Sequence, residues 1–205
     1  KRLSRVAPKR LKQNAASQRE IVEIRAKRLL KPGGLAIIPY PTEALAQEAE
    51  MSLFDYQNFV SRACFLDKKD PAKEWKDLSK MQENLVKRLN KAKSMRFVGQ
   101  DTDLRIKVEG RRWFNCDGHV NMPDGEVFTS PIEGSAEGQI RFTYPGIYRE
   151  MGREVDDITL TFKNGEVTRA RAEKGEDLLK EIVKTDEGAR RIGEIAVGTN
   201  TGIDR

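Results

Sequence analysis

The chain has 205 residues, of which 38% are apolar, and a formal net charge of +6 with one histidine. That length allows a sizeable core and one or two domains. No apolar run is long enough for a membrane-spanning helix, and the opening residues lack the apolar segment of a signal peptide. Two distant cysteines, Cys64 and Cys116, indicate no disulfide framework and fit a reducing, cytoplasmic setting.

Six basic residues crowd the start: Lys1, Arg2, Arg5, Lys9, Arg10 and Lys12. Acidic residues are interspersed through the rest, and no aromatic-rich basic sheet accompanies the arm. A nucleic-acid role is therefore ranked last, behind a solvated helix face. Pro8 to Leu30 reads as a helix, with Ile21, Ile24 and Leu29 near one stripe and Gly33-Gly34 as the stop. Leu35 to Ile38 is an apolar run ended by Pro39 and Pro41, which predicts a buried strand covered by flanking helices. No glycine-rich phosphate loop follows it, so nucleotide binding has little support.

Thr42 is placed to cap a helix over Glu43 to Ala63, with a local break at Ser52-Leu53. Cys64 falls in its apolar end as a structural thiol. Asp70-Pro71 starts another helix, whose Trp75, Leu78, Leu85, Val86 and Leu89 recur at helical spacing and end near Lys93. Packing is the favoured role for Trp75. The pattern changes near Ser94, where a boundary is placed: a helix-rich α/β part over 1–93 and a strand-rich mixed domain over 94–205. The fold class is α+β.

Met95 to Val98 and Leu104 to Val108 alternate with period two and read as strands, as do Trp113-Phe114 and Gln139 to Thr143. Ile158 to Phe162 and Glu166 to Ala172 flank the hairpin signal Asn164-Gly165, with Thr168, Ala170 and Ala172 facing the body. Helices are predicted over Glu176 to Val183 and from a Thr185 cap to Ile192.

The chemistry concentrates in Asn121 to Gly138, NMPDGEVFTSPIEGSAEG. Glu126 stands where a Pro123/Gly125 turn runs into a strand, so its carboxylate is held by backbone. The arrangement recurs at Gly193-Glu194-Ile195. Two carboxylates brought together need protons, distance or a cation, and a divalent metal is the usual remedy. The same pattern also suits ordinary hairpin turns whose glutamates face water. His119 sits beside the first turn as an exposed residue, a base or a ligand, and one histidine cannot complete a multi-histidine zinc site.

The runs HVNMPDGEVFTSP, AEKGEDLLKEIVKTDEGARRIGEIAV and AIIPYPTEALAQEAEMS resemble the M29 family of metallo-aminopeptidases over nearly the whole chain. The resemblance implies an α/β N-terminal domain before a catalytic domain. It also implies two divalent ions, zinc or cobalt, that hydrolyse the N-terminal peptide bond of substrates with a free N-terminus, and a homodimer. It makes Glu126 and Glu194 metal ligands, one of them bridging, and gives His119 and Glu133 no role. Asn121, Pro123 and Thr129 match the scaffold of the first ligand; Thr185, Asp186, Glu187, Gly188 and Arg190 match the approach to the second. The family's further ligands, a His, a Tyr and a His-x-Asp pair, follow the second glutamate. This sequence stops 11 residues after Glu194. The expectation is an incomplete or truncated chain, inactive alone, with a non-catalytic scaffold as the competing reading.

Overall fold

The computed structural model describes residues 10, 17–29, 36–148 and 153–204. Helix α1 (Arg19–Leu29) is the described part of the first predicted helix; the rest of that prediction, and Leu35 of the predicted strand, lie outside the described residues. Among the described residues Ile37 makes a one-residue parallel bridge to Asn121, through Ile37 N–H to Val120 O at 2.8 Å and Met122 N–H to Ile37 O at 3.0 Å. Ile37 and Ile38 are 54% and 63% exposed. The expected buried strand is thus an exposed single rung, and Pro39 lacks the N–H that would extend it.

The capping signals are realised in detail. Thr42 accepts from Leu45 N–H at the start of α2 (Glu43–Glu48), and Ser52 accepts from Asp55 N–H at the start of α3 (Leu53–Ala63). Asp70 accepts from Lys73 N–H, and Pro71 opens α4 (Pro71–Leu89). Each such cap contributes about 1 kcal/mol. Trp75 packs its ring 5.0 Å from that of Phe65 and donates to Cys64 O at 3.1 Å, so it serves packing. Cys64 is buried, which pushes its thiol up and keeps it inert.

The strands follow in order as β1 (Ser94–Gly99), β2 (Thr102–Lys107), β3 (Phe114–Cys116), β4 (Glu126–Thr129), β5 (Glu137–Phe142), β6 (Gly146–Tyr148), β7 (Arg153–Val155), β8 (Ile158–Lys163) and β9 (Glu166–Arg171). Helix α5 (Glu176–Ile182), a 3-10 turn (Gly188–Arg190) and β10 (Ile195–Gly198) complete the described elements. The β8–β9 hairpin turns through Asn164 and Gly165 at φ 52° and 80°, the doubly left-handed turn that matches strand twist. The helix expected from Thr185 to Ile192 is only that 3-10 turn. Asp186, not Thr185, receives the Ala189 N–H, at 2.8 Å, while the Thr185 hydroxyl bonds back to Glu181 O at 3.3 Å. Two glycines, Gly188 and Gly193, bracket this segment and weaken any longer helix.

Together these helices and antiparallel sheets make an α+β fold. The chain forms two compact units: 1–23, 92–111 and 130–195 in the first, and 24–91, 112–129 and 196–205 in the second. The first holds a five-stranded sheet ordered β1-β2-β5-β8-β9, antiparallel throughout, and the β6–β7 ribbon. Leu178 and Leu179 of α5 bury against Val155, Leu160 and Ala170; full burial of one leucine contributes about 1.5–3 kcal/mol. Ala170 and Ala172 face this core as expected, but Thr168 is exposed. The second unit holds α2 to α4 and the sheet β10-β4-β3, with α4 packed on β3 and β4. Among the described residues no helix is long and apolar enough to cross a membrane.

Candidate metal centre

Strands β3 and β4 pair antiparallel with Phe114 opposite Phe128, Asn115 opposite Val127 and Cys116 opposite Glu126. Alternation along β4 buries Val127 and Thr129 and turns Glu126 and Phe128 to the other face. Directly paired residues share a face, so the Cys116 thiol stands beside the Glu126 carboxylate, two pairs along from the stacked rings of Phe114 and Phe128.

The loop between the strands returns a third donor. Asp124 Oδ2 accepts Gly118 N–H at 3.1 Å, and Oδ1 accepts Gly125 N–H at 3.0 Å. One ligand atom each from Cys116, Asp124 and Glu126 lies within 4.8 Å of the others. Burial pushes the Asp124 carboxyl up; the two backbone N–H donors oppose this, and the charge of Asp117 adds to it. A half-buried carboxylate crowded by acidic neighbours is the setting in which a cation is stabilising.

Three supports fix this geometry. Gly125 has φ 114°, and a Cβ there would stand 2.5 Å from Asn200 Cβ, so only glycine fits between the two acids. Asn200 is buried; its Nδ2 donates to Asp124 O at 2.8 Å and to Ala63 O at 2.9 Å, and its Oδ1 accepts Gly202 N–H at 2.8 Å. From below, the fully buried Gln82 of α4 donates to Cys116 O at 3.0 Å and Glu126 O at 2.5 Å. A cavity of about 470 Å³ opens beside the acids, lined by Asn121, Pro123, Asp124, Gly125, Glu126 and Asn200 among others.

Of the two glutamates singled out by sequence, Glu126 lies in this group. Glu194 belongs to the other unit, where it is exposed just ahead of β10. His119 has an 86% exposed side chain and pairs through Nδ1 with Asp117 Oδ1 at 2.5 Å; the Ser79 hydroxyl donates to Asp117 Oδ2 at 2.6 Å. Thr129 is buried and donates to Arg112 O at 2.8 Å, a scaffold role. Sequence reading missed Cys116 and Asp124. Pairing WFNC against EVFT across the Pro123/Gly125 turn was the signal that sets Cys116 opposite Glu126.

Two carboxylates and a thiol are a chemically fitting donor set for a divalent cation of borderline softness such as zinc or cobalt. Their spacing suits a shared ion, because donors bonded at about 2.0–2.3 Å stand within a few ångströms of one another.

A family model described as thermophilic metalloprotease (M29) matches residues 1–205. Aminopeptidase AmpS of Bacillus subtilis (strain 168) is 34% identical over 149 residues, covering 67% of this chain and 36% of its own length. Aminopeptidase 2 of Geobacillus stearothermophilus is 30% identical over 218 residues, covering 95% of this chain and 51% of its own. Wild-type AmpT from Thermus thermophilus has a similar structure, with a TM-score of 0.64 and 29% identity over 78% of this chain and 42% of that one. The chain thus spans between about a third and a half of the length of these relatives.

Proposed function

The chain belongs to the M29 family of thermophilic metalloproteases, and from that premise we propose that it serves metal-dependent removal of N-terminal residues from peptides. The observation that carries the reading is that Glu126, the family-motif glutamate, stands among convergent donors instead of facing water alone. Glu126 and Glu194 are the proposed ligands of two divalent ions, zinc or cobalt, with Asp124 and Cys116 beside the first. Such ions, when bound, acidify a water and polarise the scissile carbonyl.

The residues of the chain supply position and exclusion. The β3–β4 ladder and Gln82 hold Glu126 at a fixed height above the core. Asn200 and Gly125 lock the Asp124 loop. The neighbouring cavity, with Pro123 and Ile203 among its lining, is the proposed place for the terminal residue of a substrate. The donors present include a single histidine, so turnover by these 205 residues alone is not expected, while metal binding is. A cytoplasmic setting and assembly as a homodimer are part of the same proposal.

Cobalt(II) titration of the purified chain, followed by absorption, tests the site. The expected result is saturable binding with a cobalt–thiolate charge-transfer band that Cys116→Ser abolishes, and weaker binding in Glu126→Gln. Cobalt at millimolar concentration leaving the spectrum unchanged overturns the reading. Release of p-nitroaniline from leucine-p-nitroanilide by the isolated chain overturns its inactive part.

A further inference from the structure

A second concavity, in the first unit and outside the metal chemistry, carries a different charge. It lies between β9 and α5, has a volume of about 460 Å³, and is lined by Arg169, Arg171, Lys180, Lys184 and Arg190, with Glu176 as its one carboxylate. The fold explains the hollow. Strand β9 is an edge of its sheet, so no further strand fills the space beside it. Ala170 and Val183 line it and add apolar surface between the cations.

The charges on its walls are not cancelled. Glu176 is engaged, pairing with Lys180 and accepting Ala172 N–H at 3.3 Å. Arg190 is anchored at the rim, donating from Nη2 to Val167 O at 2.9 Å, which also occupies an edge carbonyl of β9. Among the described residues, no ion pair engages Arg169, Arg171 or Lys184. With Lys180 and Glu176 paired to each other, the other four cations leave the hollow a net positive potential.

We propose that this concavity binds a small polyanion of the phosphate class. Arginine forks match phosphate oxygens in pairs, and three of the five cations here are arginines. The volume exceeds what a lone phosphate occupies, so the ligand carries several phosphates or a phosphorylated tail. No aromatic side chain lines the hollow, so it offers no stacking platform for a nucleobase.

Tripolyphosphate, titrated calorimetrically into the 205-residue chain at low salt, is the probe. The expected result is one saturable site whose affinity falls steeply with added salt. The double variant Arg169→Glu/Lys184→Glu, exposed charges both, loses tenfold or more in affinity. The control Lys76→Glu/Lys80→Glu on α4, which removes the same net charge elsewhere, loses less than twofold. Arg169→Gln/Lys184→Gln stands in if the reversal unfolds the chain, with the same sense of effect. Three results overturn the proposal: no saturable binding, equal losses in both double variants, or citrate binding as tightly as tripolyphosphate. The last assigns the hollow to polycarboxylates instead.

Discussion

Asn200 Nδ2 donates to Asp124 O at 2.8 Å, so a residue 76 positions away in sequence holds the loop that carries an acid of the candidate metal centre. The same amide binds Ala63 O and Gly202 N–H. Asn200→Ala removes the partner of three polar groups, one buried and two half-buried. The expected loss is about 1–3 kcal/mol of stability, read as a lowered urea midpoint at unchanged slope. Because the Asp124 loop loosens, cobalt affinity falls as well, even though residue 200 offers the ion no ligand. A variant with wild-type cobalt affinity would separate Asn200 from the site.

Gly125→Ala is expected to be worse than its size suggests. The new methyl group meets Asn200 Cβ at 2.5 Å, and φ of 114° lies in glycine's territory. Strained backbone of this kind costs on the order of 1–3 kcal/mol before the clash is added. Thermal unfolding should show a drop of several degrees, while Gly193→Ala, where nothing stands within 4 Å of an added Cβ, leaves the midpoint near wild type. Equal effects at the two glycines would contradict the steric account.

How far the sequence could be read follows from which signals are local. Thr42, Ser52, Asp70-Pro71 and Asn164-Gly165 are short-range chemistry, and each placed its helix end or turn as expected. Ile37-Ile38 failed because hydropathy measures burial demand, not the presence of a neighbour to pair with; Pro39 limits that ladder to one rung. The three-residue strands β6 and β7 are too short to show a period. The chain passes between its two compact units five times, at 23/24, 91/92, 111/112, 129/130 and 195/196. Composition cannot announce such returns. At the site, Glu126 was legible from its turn, whereas Cys116 and Asp124 required the hairpin register.

Acid sensitivity of the first unit should trace in part to Asp157. Hydrogen bonds from Arg141 Nε and Nη2, at 2.6 and 2.9 Å, hold its carboxyl below the usual carboxylate range, against a smaller opposing effect of desolvation. The folded pKa is therefore the lower one, and the unfolded chain binds the extra proton as pH falls. The stabilisation is fully present above the ordinary value of about 3.9 and is lost as pH drops through the folded value. Urea midpoints measured from pH 6 downwards should show wild type above Asp157→Asn at the start, with the two curves converging in acid. Parallel curves would assign the acid response to other pairs, such as Asp103 with Arg96.

Gln82 gives the sharpest separation of position from ligation. It is fully buried on α4 and donates to the backbone oxygens of Cys116 and Glu126. Gln82→Leu keeps most of the volume but leaves those carbonyls short of a donor. Its own Oε1 has no partner, so part of the loss is offset by removing that unsatisfied atom. The net expectation is a destabilisation of about 1–2 kcal/mol, with cobalt affinity reduced and the cobalt–thiolate band shifted, not abolished. Cys116→Ser by contrast removes the band with little change in stability. If Gln82→Leu alters stability alone, the amide supports the core of the unit and has no part in aiming the metal ligands.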